Sequence, residues 1–129
     1  MLKAFDSFTN STAVGQWCCG ALFSLAFHEV PHGKHDVFKS GALQRVENVM
    51  SKFESVQEVQ QWGLRVVATM AFGEDAAAIR AEMTQGRFPS RIIAAMGEHP
   101  NVLAVQFWGL YALSNLTVKD PAVGERVIR

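Results

Sequence analysis

The sequence predicts an all-α fold, an α-α superhelix of about three helical units lying side by side. Three observations predict it: a tryptophan that recurs at a fixed interval, an identical apolar spacing around each tryptophan, and a second helical segment ahead of the later two. Trp17, Trp62 and Trp108 stand 45 and 46 residues apart in a chain of 129. A self-similar period in the forties marks a helical solenoid, in which each unit completes the dry interior of its neighbour.

The long helices come first. The three frames begin at Val14, Val59 and Val105 and run to Leu25, Met70 and Leu116. Apolar or small residues fall at Val14, Cys18, Ala21, Leu22 and Leu25, at Val59, Gly63, Val66, Val67 and Met70, and at Val105, Gly109, Ala112, Leu113 and Leu116. The offsets are the same each time and trace one face of an α-helix. The second slot is always small: Cys18, Gly63, Gly109. Glycine inside a helix costs roughly 1 kcal/mol against alanine, so its use there predicts the close approach of another helix.

A medium helix precedes each of the later frames. Gly41 opens the segment that reaches Phe53, and Gly86 opens the one that reaches Met96. Met50 and Met96 each stand 12 residues before their tryptophan, and Phe5 takes that slot before Trp17. Pro89 and Pro100 suit first helical turns. A shorter helix is predicted over 75–83 with Asp75 as its N-cap, and another begins at Asp120-Pro121 and runs to Ile128. One unit thus reads short helix, glycine, medium helix, brief loop, long helix. Residues 1–129 form a single repeat domain: a partial unit over 1–29, units over about 32–73 and 75–118, and the start of another over 120–129. Both ends resemble cuts through a longer array, since neither carries the polar cap of a terminal repeat.

Bulk properties narrow the function. Hydrophobic residues make up 49%, enough for a continuous core. Twelve basic and twelve acidic residues cancel, which argues against nucleic acid or anionic lipid as a general partner. The most apolar run, 13–27, is broken by Gln16 and Ser24 and falls short of a membrane span. Cys18 and Cys19 are adjacent, poor geometry for a structural disulfide, and fit a reduced, cytoplasmic (intracellular) setting as small buried residues. His28, His32 and His35, with Glu29 and Asp36 nearby, offer imidazoles at helical spacing, but Pro31 and Gly33 interrupt it and no fourth ligand is evident, so no metal is expected. No phosphate loop, nucleophile elbow or convergent polar set appears; neither catalysis nor a cofactor is expected.

The segment Val105-Gln106-Phe107-Trp108-Gly109-Leu110-Tyr111-Ala112-Leu113-Ser114-Asn115-Leu116, three helices per unit and the glycine between the first two resemble the armadillo repeat, with the HEAT repeat as its near neighbour. The resemblance covers essentially the whole chain and implies a right-handed superhelix. It also implies a concave groove lined by third helices, where an asparagine hydrogen-bonds an extended peptide and an aromatic stands one turn before it. Asn115 and Tyr111 match that pair; the other frames offer Thr69 with Arg65, and Ser24 with Gly20. An amide side chain supplies both donor and acceptor to a peptide main chain, and an aromatic one turn away supplies a flat wall.

The expected function is a non-catalytic scaffold that binds an extended peptide or another protein. The expected contacts are Asn115, Tyr111 and Phe107, then Arg65, Thr69 and Gln61, with Arg65 suited to an acidic ligand group. The alternative for the 107, 111 and 115 stripe is packing against a neighbouring unit. The tryptophans are expected to pack between units. The second functional reading is a structural module that stacks end to end into homo-oligomers; a small helical metal protein or enzyme ranks last.

Overall fold

The computed structural model describes residues 2–27 and 33–117, with the backbone alone for Leu2 and Phe5. The described residues form eight α-helices and one 3₁₀ turn, with no strand among them. In chain order these are α1 Leu2–Ser7, α2 Thr12–Phe27, α3 Gly33–Lys39, α4 Ala42–Lys52, α5 Gln57–Ala71, the turn Glu74–Ala76, α6 Ala77–Gln85, α7 Phe88–Glu98 and α8 Leu103–Leu116. The three tryptophan frames are α2, α5 and α8. The helix predicted over 120–128 and the residues His28, Glu29, Pro31 and His32 lie outside the described residues.

Helix α5 is the middle of the stack: it packs against α2 on one side and α8 on the other. Its position shows in its burial. Val59, Val66, Val67 and Met70 of the predicted stripe are wholly buried, and so are Gln60, Leu64 and Ala68 outside that stripe. Helix α4 lies on α5 and α7 lies on α8. Val46 and Val49 of α4, and Ile92 and Ala95 of α7, are buried in equivalent registers 46 residues apart.

The small second slot has a direct steric cause. A Cβ added to Gly63 would lie 2.5 Å from Met50 Sδ, and one added to Gly109 would lie 2.6 Å from Met96 Sδ. Each medium helix thus presses a methionine onto the bare backbone of the long helix that follows it. That contact explains both the glycines and the constant interval from methionine to tryptophan.

The glutamine after each frame-opening valine in α5 and α8 is a structural peg. Gln60 Nε2 donates to the carbonyls of Met50 at 3.0 Å and Phe53 at 2.9 Å. Gln106 Nε2 donates to those of Met96 at 2.8 Å and His99 at 3.0 Å. The last carbonyls of a helix have no partner within it. Here the following helix supplies one. Arg80, buried in α6, does the same for α5, donating from Nη1 to Ala71 O at 3.0 Å and Gly73 O at 2.6 Å.

Several local expectations change. Gly41 is the N-cap of α4, with φ 80°, a left-handed conformation that suits glycine. Gly86 does not share that role; it closes α6 with φ −88°, and Arg87 caps α7. Asp75 is not an N-cap: it sits in the 3₁₀ turn, whose side-chain caps are absent, and faces Lys34 and His35 instead. Pro89 does lie in the first turn of α7, whereas Pro100 lies in the loop ahead of α8. In α2 the stripe positions Ala21 and Leu25 are exposed; the short helix α1 packs on α2 but leaves an apolar recess between Ala4 and Ala21.

Candidate functional site

The long helices bring their aromatic residues onto one face. Trp62 stands edge-on to Phe23 of α2, with ring centroids 6.0 Å apart. Trp108 stands edge-on to the same Phe23 at 6.2 Å. Phe23 and Trp108 belong to the two helices that flank α5, so their rings meet across α5. Tyr111 stacks on Trp108 at 5.8 Å, and Phe107 meets both in T-shaped contacts. Phe23 also stacks on Phe27 at 5.2 Å. The result is a continuous aromatic band from α2 to α8.

Arg65 sits within this band. Its guanidinium lies 4.5 Å from the Trp62 ring centre and 5.2 Å from that of Trp108. Such cation–π contacts contribute about 0.5–2 kcal/mol each, more as water is excluded. Among the described residues the positive charge is met by rings and not by a carboxylate.

Beside the band opens a cleft of about 390 Å³, lined by Phe27, Thr69, Phe72, Trp108 and Tyr111, with Lys34 and Asp75 at its edge. The Lys34 ammonium donates to Phe72 O at 2.5 Å and stands 4.0 Å from Asp75. It thereby ties α3 to the end of α5. The cleft is apolar-walled, with the Thr69 hydroxyl, the Tyr111 phenol, the Lys34 ammonium and the Asp75 carboxylate as its polar groups.

The expected contact residues divide. Thr69 and Tyr111 meet in the cleft. Arg65 does not line the cleft; it lies between the indoles of Trp62 and Trp108. Phe107 is exposed on α8 next to Tyr111. Gln61, half-buried, occupies on α5 the register that Phe107 occupies on α8. Asn115 departs from the expectation of a ligand contact. It is 5% exposed, and its Nδ2 donates to Ala68 O of α5 at 2.8 Å. The stripe from Phe107 to Asn115 descends from the open face into the α5–α8 interface, so its last member joins helices instead of facing solvent. Trp17 also departs from its expectation. Trp62 and Trp108 pack between helices, but Trp17 is 73% exposed.

The cysteines lie away from the cleft, in the core. Burial pushes the Cys19 thiol up to about 12, and burial raises Cys18 as well. Neither is a ready thiolate nucleophile. Among the described residues no group of three or more His, Cys, Asp or Glu could hold a metal ion, and no helix is long and apolar enough to cross a membrane.

Sequence reasoning missed Gln60, Gln106, Arg80, Phe23, Phe27 and Phe72. The glutamines carried a usable signal: a polar residue recurring at a core register, 46 residues apart, asks for a shared hydrogen-bond role. Phe23 and the two cleft phenylalanines carried none, because their meeting depends on curvature across three helices. No protein-family model, curated protein or solved structure matches this chain.

Proposed function

We propose that the chain is a non-catalytic protein-interaction module, an armadillo-type right-handed superhelix that receives an extended peptide segment of a partner on its concave face. The observation that supports this most is the aromatic-walled cleft beside Thr69, Phe72, Trp108 and Tyr111, which draws on three long helices at once. Interface centres favour rigid aromatic side chains, which contribute large contact area at low entropic cost. Phe72 and Phe107 are exposed, and Tyr111 is 38% exposed, so rings stand ready for ligand contact. Lys34 in the cleft is balanced by Asp75, so the preference for an acidic side chain between apolar ones rests on Arg65 beside the Trp108 ring.

The test is selection from a displayed random-peptide library, followed by fluorescence anisotropy on the enriched peptides. The expected peptides bind with micromolar Kd and share an acidic residue flanked by apolar ones. Tyr111→Ala is expected to raise Kd about tenfold, equivalent to about 1.4 kcal/mol. Failure to enrich peptides over a Phe72→Ala/Tyr111→Ala variant would remove this reading.

A further inference from the structure

Among the described residues, two surfaces of the stack are open at positions that are covered elsewhere in the same molecule. Leu110 of α8 is 60% exposed, whereas Cys19 of α2 and Leu64 of α5, at the same place in their frames, are wholly buried. On the opposite side, Trp17 of α2 is open while Trp62 and Trp108 are half-buried. Ala21 is exposed while its counterparts Val66 and Ala112 are buried. An apolar recess of about 320 Å³ lies beside Trp17, walled by Ala4, Val14, Cys18 and Ala21.

The covered examples say what fits these surfaces. The α2–α5 and α5–α8 contacts use the same frame positions. Trp62 packs at 3.8 Å on a Cβ placed at Gly20, and Trp108 packs on Arg65, the residue in that slot of α5. Tyr111 holds the same slot on α8. The open side of α8 therefore has the form on which α5 and α8 themselves sit, and the open side of α2 has the form that sits there.

We infer that the open face of α8 in one copy receives α2 of a second copy, head to tail, with Trp17 seated against Tyr111 and covering Leu110. The partner is a second copy of this chain because its α2 presents, exposed, the tryptophan whose counterparts Trp62 and Trp108 make the internal contacts. Such an interface joins two different surfaces. It does not close on itself, so it propagates into open chains unless a rotation brings the ends together. It shares Tyr111 with the peptide cleft but rests on the exposure of Trp17 and Leu110, neither of which lines that cleft, so variants at these two positions test it separately.

The test is sedimentation velocity with light scattering across a concentration series from micromolar to millimolar. The chain should rise from its monomer mass of 14.2 kDa to at least twofold that value, without a plateau at the dimer. Trp17→Glu and Leu110→Glu each alter an exposed side chain and should each remain monomeric, with unchanged circular dichroism. Mixing these two variants is the decisive arm: each retains one intact face, so the mixture should form a one-to-one dimer and stop there. A wild-type chain that stays monomeric throughout overturns the inference. So does a Leu110→Glu variant that still associates, or a mixture that fails to pair.

Discussion

Replacing Gly63 with alanine tests the contact that spaces the helices. On an open helix this change gains roughly 1 kcal/mol. Here the new Cβ would fall 2.5 Å from Sδ and 2.6 Å from Cγ of Met50. Met50 is wholly buried, so its side chain has no free space into which to swing. Overpacking of a closed core costs typically about 1–3 kcal/mol, and a contact this short belongs at the upper end. The net expectation is a loss of about 1–2 kcal/mol. Unfolding entropy of roughly 2.1 cal/mol/K per residue gives roughly 0.27 kcal/mol/K for a chain of this length, so Tm falls by about 4–7 °C. Gly109 supplies the internal comparison. Its Cβ would meet Met96 at the same 2.6 Å, but Met96 is only half-buried and can turn outward. Gly109→Ala should therefore lose less than about 1 kcal/mol, or gain. Calorimetric melts of both variants, and of Gly63→Ala combined with Met50→Ala, measure the terms. The combined variant should show a coupling of about 1 kcal/mol or more between the sites. A Gly63→Ala chain that melts at or above the wild-type temperature, or two glycines that respond alike, would refute the reasoning.

Three further outcomes follow from the polar contacts. Gln106→Ala frees the carbonyls of Met96 and His99 and should cost about 2 kcal/mol at about 1 kcal/mol per bond; Gln60→Ala, at a fully buried site, should cost more in the same urea titrations. Asn115→Ala leaves the Ala68 carbonyl buried without its donor and should lower stability by about 1–3 kcal/mol, with any loss of peptide affinity tracking the loss of fold in parallel melts and anisotropy. The hydrogen bonds from Arg45 hold the Asp6 carboxyl below its ordinary value of 3.8, so this pair adds stability above that pH and loses it as pH falls through the lowered value. Urea midpoints of wild type and Asp6→Asn should differ near neutral pH and converge on acidification, and a difference that grows toward low pH would reverse the assignment.

The helical register was legible because it is local. The frames, the small slot and the methionine interval are all spacing along one strand of sequence, and Val59, Gly63, Val66, Val67 and Met70 are all buried as that spacing requires. What spacing leaves open is which side of a helix meets a neighbour. Ala21 and Val66 hold equivalent slots, yet one is exposed and the other buried, because the short helix α1 leaves an open recess beside Ala21. Asn115 shows the same limit within the site. From the sequence it shares a stripe with Phe107 and Tyr111, but an i, i+4 row drifts about 40° around the helix at each step, and one turn beyond Tyr111 it has passed into the interface. Arg65 and Thr69 were found by their place in the frame. Phe27 and Phe72 were not, since each terminates its helix region and joins the cleft only through the bend of the whole stack.

Everything proposed for the cleft depends on the first and third long helices bending toward each other across the second. Nuclear Overhauser spectra of the chain measure this directly through the ring protons of Phe23 and the indole protons of Trp108. With centroids 6.2 Å apart, edge to face, cross-peaks between them are expected. A spectrum in which Phe23 contacts Trp62 but shows no cross-peak to Trp108 would mean a flat or outward-bowed face, with no cleft to receive a partner.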